Sequence, residues 1–245
     1  MEGIVHKAAR LVFGKILPRR PYAVLSGPLR GSRFILGSLA GEGGGASVYF
    51  NRIEKEQTAA MLREIGEGHT FFDIGANVGY YSILASKLVG AKGQVIAFEP
   101  VVRNIAYLQR HLELNKAENV RIMPFAMSSK SGILSFSPGP NSAMGSLDIE
   151  GGSGELLVPT TTLDEIVDLL GLTPDVLKID VEGAETELFR GGERTLTKTR
   201  PKIFLSTHGN ERREECLTLL KAKGYTVEAL TSSDDPHEFF LKHNP

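Results

Sequence analysis

The sequence predicts an α/β protein with a doubly wound, mostly parallel sheet. Short continuous apolar runs of strand length alternate with amphipathic stretches of helical period, the pattern of strands buried on both faces and joined by crossover helices. Acids stand at or near the ends of several runs, where open α/β sheets bind their ligands. A glycine-bearing turn, in "FFDIGANVGYYS" over Phe71 to Ser82, directly follows one of them.

Taken in order, the N-terminal stretch "MEGIVHKAARLVFGKILPRRP" spaces Ile4, Val5, Ala8, Val12, Ile16 and Leu17 as on a helix, among Lys7, Arg10, Lys15, Arg19 and Arg20. That is an amphipathic basic helix. Charges interrupt its apolar part before it reaches the length of a leader's hydrophobic region or of a bilayer span. The expectation for residues 1–20 is a helix docked on its own domain, on a second subunit, or at the periphery of an anionic membrane. Between Tyr22 and Phe50, short strands are broken by Gly-Pro and by the loop "GEGGGAS". Residues 1–50 are therefore read as a helix and β-rich extension, and 51–245 as the main domain.

"RIEKEQTAAMLREIG" (52–66) has helical period and ends at a glycine. The buried runs follow: "TFFDIG" (70–75), "QVIAFE" (94–99), "VRIMPFA" (120–126), "DVLKID" (175–180) and "KIFLST" (202–207). Helices are expected over Gly79 to Leu88, Val102 to Leu114, Thr162 to Leu170, Gly183 to Leu188 and Glu211 to Lys223. "GYTVEAL" and "HEFFLKH" read as a terminal hairpin. The turn-rich segment from Ser135 to Glu155 reads as an insertion, either a lid or a surface loop.

A chain of 245 residues, 41% hydrophobic and 23% charged, suits one decorated α/β core. Its formal net charge of -1 lacks the basic footprint of a general nucleic-acid binder, so no nucleic-acid partner is expected. Cys216 is the sole cysteine, which removes any intrachain disulfide and fits a reducing cytoplasm. Its helical setting, "ERREECLTLLKAKG", reads as a packed thiol.

A strand, a glycine turn and a helix can hold a dinucleotide, whose fingerprint is G-x-G-x-x-G. Here Asn77 occupies the middle position, and Asp73 sets a carboxylate near the ligand, poorly matched to a pyrophosphate but suited to an ammonium or sulfonium. S-adenosylmethionine carries both. Glu99 closes the next run 20 residues beyond Gly79, the spacing at which an acid accepts ribose hydroxyls in nucleoside-binding sheets. A nicotinamide-dependent dehydrogenase remains the alternative enzyme, and a cofactor-binding module without chemistry the non-enzyme alternative.

"FFDIGANVGYYS", "VIAFEP", "VPTTTLDEI" and "LKIDVEGAETELFRGG" resemble the blocks of the FkbM-type methyltransferases, over roughly Tyr49 to Leu241. The resemblance implies the class I methyltransferase fold, Rossmann-like, with seven strands and the last antiparallel. It also implies O-methylation of a hydroxyl on a sugar, glycan, polyketide or other specialised metabolite. Carried onto this sequence, it implies that Asp73, Gly75, Asn77 and Gly79 hold the methionyl end of S-adenosyl-L-methionine, that Glu99 clamps the ribose, and that Phe125 and Ala126 lie beside the adenine. Phe125 stands where an acid often reads the adenine amino group, so stacking and backbone contacts carry that recognition. The composition leaves the oligomeric state open, a homo-oligomer included.

Transfer to an alcohol calls for a general base or a metal that lowers the hydroxyl pKa. Asp180 ends the fourth run and Glu182 follows on the turn into a helix; the pair could orient substrate, hold a divalent cation or act as base. Lys178 shares a strand face with Asp180 and is expected to neutralise a strand-end acid. His208, after the fifth run, is the candidate base. The family usually carries an acid two residues before this histidine, where Ser206 stands here. His6, His69, His111, His237 and His243 lack a comparable setting, and no H-x-x-x-H or C-x-x-C pairing points to zinc.

Overall fold

The computed structural model describes residues 18–38, 46–51, 53–138, 145–148, 156–231, 233 and 235–243. Most of the helix expected over 1–20, and most of the 139–155 part of the insertion, lie outside these residues. A short antiparallel hairpin, β1 (Pro21–Ala23) and β2 (Arg33–Ile35), comes first, then α1 (Ala46–Tyr49) and α2 (Lys55–Glu64).

The central sheet is built from β3 (Thr70–Ile74), β4 (Gln94–Phe98), β5 (Val120–Met123), β10 (Val176–Ile179), β11 (Lys202–Ser206), β12 (Tyr225–Ala229) and β13 (Glu238–His243). Their spatial order is β5-β4-β3-β10-β11-β13-β12. All run parallel except β13, which pairs antiparallel with both β11 and β12. The seven strands and the antiparallel last one match the expectation. Strand order reverses between β3 and β10, so the crevice beyond their carboxyl ends is where such a sheet binds ligand.

Crossovers are made by α3 (Tyr80–Val89), α4 (Val102–Asn115), α5 (Leu163–Leu170), α6 (Glu185–Gly191), α7 (Glu193–Lys198) and α8 (Asn210–Ala222). Alternation along the strands sorts the core into two layers. Phe71, Val95, Ala97, Val176 and Phe204 face α2, α3, α4 and the hairpin's Phe34. Phe72, Ile96, Phe98, Leu177, Ile179 and Leu205 face α5 to α8, where the thiol of Cys216 is fully buried. Each such side chain contributes about 1.5–3 kcal/mol by leaving water. Thr162 caps α5 by accepting from Glu165 N at 3.1 Å, and Gly171 ends that helix.

The extension docks on α4. Arg33 N donates to Asn115 Oδ1 at 2.8 Å and Ile35 N to His111 Nε2 at 3.0 Å, while His111 Nδ1 lies 2.7 Å from the Val78 carbonyl. His111 is thus a structural tie between hairpin, α4 and the glycine turn.

Two expectations need correction. The run 120–126 is not one strand: Pro124, lacking an N–H, follows the end of β5, and Ala126–Met127 (β6) joins a second sheet. That sheet has the order β6-β9-β7-β8, with β7 (Gly132–Pro138), β8 (Gly145–Asp148) and β9 (Leu156–Thr161). Where described, the insertion is therefore strand rather than loop.

Candidate active site

The glycine turn is tied to both neighbouring strands through its backbone. Gly75 N and Ala76 N both donate to the Phe98 carbonyl, at 3.0 and 2.9 Å, and Asp180 N donates to the Ile74 carbonyl at 3.0 Å. At Gly75, with φ 85°, a Cβ would stand 1.8 Å from the Asp180 carbonyl oxygen. Only glycine allows that approach. Gly79, φ 91°, starts α3 and would press a Cβ to 2.4 Å from Leu108 Cδ1, so its smallness serves the packing of α3 on α4. Asn77 adopts φ 51°, a left-handed conformation that asparagine tolerates better than most residues.

Asp73 is 1% exposed. Its Oδ2 accepts from Ser82 Oγ at 2.6 Å, and its buried Oδ1 has no hydrogen-bond partner among the described residues. Burial pushes its carboxyl above the ordinary range, against the opposing field of Lys178. β3 and β10 pair with Lys178 opposite Asp73. The Lys178 Nζ reaches Asp180 Oδ2 at 2.8 Å and lies 4.9 Å from the centre of the Tyr81 ring. Burial lowers the Lys178 pKa, but Asp180, Glu54 and Asp73 more than offset it and the net shift is upward. For Asp180, burial acts upward and Lys178 outweighs it, holding the carboxyl below its usual range. The expected neutralisation of strand-end acids by Lys178 is what the geometry contains.

His208 joins this group from the end of β11. Its Nδ1 lies 2.9 Å from Glu185 Oε1, and its Nε2 lies 3.4 Å from Glu182 Oε2 and 3.7 Å from Asp180 Oδ1. Burial alone would lower its pKa, but the Glu185 hydrogen bond and the fields of Asp180 and Glu182 raise it to about 9. That value favours the imidazolium at neutral pH. Glu182, at φ 51° on the turn, is pushed above the usual carboxylate range by burial, against the field of His208.

These groups share one cleft of about 580 Å³, within the size range of small-molecule sites. Asp73, Gly75, Asn77, Asp180, Glu182 and His208 all line it. Glu54, Tyr81, Ser206, His237 and Glu238 line it as well. Five of its lining residues are carboxylates, against the cations Lys178 and His208, so the cleft suits a positively charged ligand.

Glu99 lies apart from these walls. Its Oε2 accepts from Asn77 N at 2.8 Å, and its Oε1 from Val101 N at 2.9 Å and Asn104 Nδ2 at 3.3 Å. In the free protein it braces the glycine turn against β4, and burial raises its pKa. Phe125 is half-buried where β5 passes to β6, and Ala126 is buried. Neither lines the cleft.

Sequence reasoning missed four residues of this neighbourhood. Glu185, fully buried, supplies the carboxylate behind His208 that Ser206 does not, and also accepts from Gly183 N at 3.1 Å. Its signal was present as the final acid of "KIDVEGAE". Glu54, which accepts from the Tyr81 hydroxyl, and Glu238 come from distant segments with no motif to mark them. His237 also lines the cleft, although its sequence setting drew no attention.

Residues 73–229 match the family model described as the methyltransferase FkbM domain. The hexuronic acid methyltransferase AglP of Haloferax volcanii is 32% identical over 143 residues, covering 57% of this chain and 56% of that protein. The 2-O-methyltransferase NoeI of Sinorhizobium fredii is 30% identical over 147 residues, covering 52% of this chain and 59% of that protein. The chain thus spans a little over half the length of these curated relatives. A solved methyltransferase FkbM from Methylobacillus flagellatus KT superposes with a TM-score of 0.52 at 18% identity, over 71% of this chain and 43% of that one. The likeness is one of fold, the class I methyltransferase fold.

Proposed function

Because the chain belongs to the methyltransferase FkbM domain family, we propose that it is an S-adenosylmethionine-dependent O-methyltransferase acting on a sugar or glycan hydroxyl. The sugar acceptor is drawn from the two relatives, whose names specify a hexuronic acid and a 2-O position. Residues 51–245 form the catalytic domain in this reading, and 1–50 an extension to it. The observation that carries it is the unpartnered, buried Asp73 Oδ1 at one end of a cleft whose other end gathers Asp180, Glu182 and His208.

The residues present fit the cofactor. Asp73 offers a carboxylate oxygen to its ammonium or sulfonium, Gly75 lets the turn pack on the Asp180 backbone at the edge of the cleft, and the net acidic cleft favours its positive charge. Asn77 lines the same turn, Gly79 keeps α3 close, and Glu99 either turns to the ribose or holds the turn that receives it. Phe125, half-buried beyond β5, offers apolar surface for the adenine, and the buried Ala126 follows it into β6. When bound, S-adenosylmethionine supplies an electrophilic methyl on a sulfonium that leaves with its electron pair as a neutral thioether.

The chain's own part is alignment and proton handling. Aligning the acceptor oxygen with the methyl group supplies ~7–11 kcal/mol. Asp180, held by Lys178, and His208, held by Glu185, fix the acceptor hydroxyl. Glu182, whose Oε2 lies 3.4 Å from His208 Nε2, takes the hydroxyl's proton, since it is a carboxylate beside an imidazole that is already protonated.

The test is methyl transfer from labelled cofactor to a panel of neutral, amino and uronic sugars, with calorimetric titration of S-adenosylhomocysteine and of NAD. Binding of S-adenosylhomocysteine with transfer to a sugar supports the proposal. NAD binding alone would return the dehydrogenase alternative, and cofactor binding without transfer to any acceptor would favour the non-catalytic module.

A further inference from the structure

We propose that Asp180 Oδ1, Glu182 Oε2 and His208 Nε2 form a binding site for one divalent cation at the acceptor end of the cleft. The inference rests on reading that end as the place of the acceptor hydroxyl. The three side chains offer one ligand atom each, all within 4.8 Å of one another. Nε2 stands 3.4 Å from the Glu182 oxygen and 3.7 Å from the Asp180 oxygen. Charged N–H···O hydrogen bonds close to ~2.7–2.9 Å, so neither approach is a good one. Ligands sharing one ion at ~2.1 Å stand ~3.0–3.4 Å apart, and the observed spacings need only a small contraction.

Two of the three ligands are held from behind in the manner of a metal site. Glu185 Oε1 lies 2.9 Å from His208 Nδ1, which keeps a ring proton there, so that the ion takes the place of the second proton at Nε2 and that proton is released to solvent. Lys178 engages Asp180 Oδ2 and leaves Oδ1 towards the histidine. Glu182 keeps Oε1 for the acceptor proton.

An independent observation points the same way. Ser206 is 8% exposed and lines this cleft, and its buried Oγ has no hydrogen-bond partner among the described residues. A hydroxyl at that position suits a water held on the ion or an acceptor hydroxyl beside it. The mixed set of two carboxylates and one imidazole suits a first-row ion such as Mn²⁺. An ion there would lower the pKa of a bound hydroxyl and fix a vicinal pair of sugar oxygens.

The experiment is titration of the full chain with Mn²⁺, followed by the loss of its free-ion electron paramagnetic resonance signal, without cofactor or acceptor. One ion per chain is expected. His208→Ala and Glu182→Gln should abolish binding, Glu185→Gln should weaken it 10–100-fold as an outer partner, and Glu118→Gln, an exposed acid before β5, should leave it unchanged. Pulsed spectra of the wild-type complex, which need no substitution, should show coupling to an imidazole nitrogen. Absence of Mn²⁺ binding, binding that survives both His208→Ala and Glu182→Gln, or spectra without nitrogen coupling would overturn the proposal. If S-adenosylhomocysteine still binds and methyl transfer persists in chelator, only the cation site falls; loss of cofactor binding would instead remove the methyltransferase reading.

Discussion

The position a Gly75 Cβ would occupy lies 1.8 Å from the carbonyl oxygen of Asp180. The turn proposed to receive the cofactor and the strand end proposed to handle the acceptor are therefore in backbone contact, and neither can move without the other. Gly75→Ala should destabilise the fold by about 3 kcal/mol or more, because the opposing atom is backbone and φ is positive. Gly79→Ala meets only the flexible tip of Leu108 and should cost less. Urea denaturation of both variants checks the order.

Glu99 receives three hydrogen bonds, two of them from backbone N–H groups. Glu99→Ala should lower stability by about 2–4 kcal/mol, because the turn loses charged acceptors worth ~1.5–3 kcal/mol each and water replaces part of them. Affinity for S-adenosylhomocysteine should fall with it. Thermal unfolding and calorimetric titration on the same variant measure the two effects. Unchanged affinity in a folded variant would remove Glu99 from the cofactor site.

Asp180→Asn, Glu182→Gln and His208→Ala should each lower kcat by about 10²–10⁴, the usual contribution of a positioned proton-transfer group, and leave S-adenosylhomocysteine binding nearly intact. In the proposed reading these three residues meet the acceptor rather than the cofactor. Steady-state kinetics at saturating cofactor, beside calorimetric titration, separates the two readouts. A variant with normal kcat and raised KM would mark binding rather than proton handling.

Lys178→Met should destabilise the protein by about 3–5 kcal/mol at pH 7, since it leaves Asp73 and Asp180 buried without their cation. Asp180 has its folded pKa depressed, so its contribution to wild-type stability is present above the unfolded value and is lost as pH falls through the folded one. The gap between wild type and variant should therefore narrow below about pH 4. Denaturant titrations across pH test this.

Glu238 behaves in the opposite sense. Burial, then the fields of Glu54 and Glu56, raise its carboxyl to about 7, and its Oε2 has no hydrogen-bond partner among the described residues. The folded state then holds more protons than the unfolded one between the ordinary carboxylate value and 7, so this residue takes stability away as pH rises through that window. Glu238→Gln should gain ~1–2 kcal/mol at pH 8 and little at pH 4, after allowance for partial exposure. A gain that does not change with pH would point to packing instead.

Much of this was legible in the sequence because it is local. The five buried runs, the crossover helices, the final hairpin and the antiparallel last strand follow from apolar periodicity and from family blocks, and a strand buried on both faces can hardly be mistaken for a surface one. The acids at strand ends were legible for the same reason: chain direction in a parallel sheet places every carboxyl end on one edge. Lys178 opposite Asp73 follows from period-two alternation together with β10 pairing on β3. The second sheet was not legible. β6 is two residues long, and its partner β9 lies beyond the insertion, a pairing that no local pattern announces.

The sequence by itself determined the class of the fold, the glycine turn with its nearby carboxylate, and the residues at the acceptor end. Only the tertiary structure decided their states. It gave His208 the Glu185 carboxylate that Ser206 does not supply, and it brought three acids around one imidazole so that their summed field sets its charge. It also turned Glu99 onto the backbone of Asn77, and it drew Glu54 and Glu238 from opposite ends of the chain into one cleft. The physical reason is common to all four. Burial, charge and hydrogen-bond satisfaction depend on distances between residues far apart in sequence, while periodicity and spacing report only on neighbours along the chain.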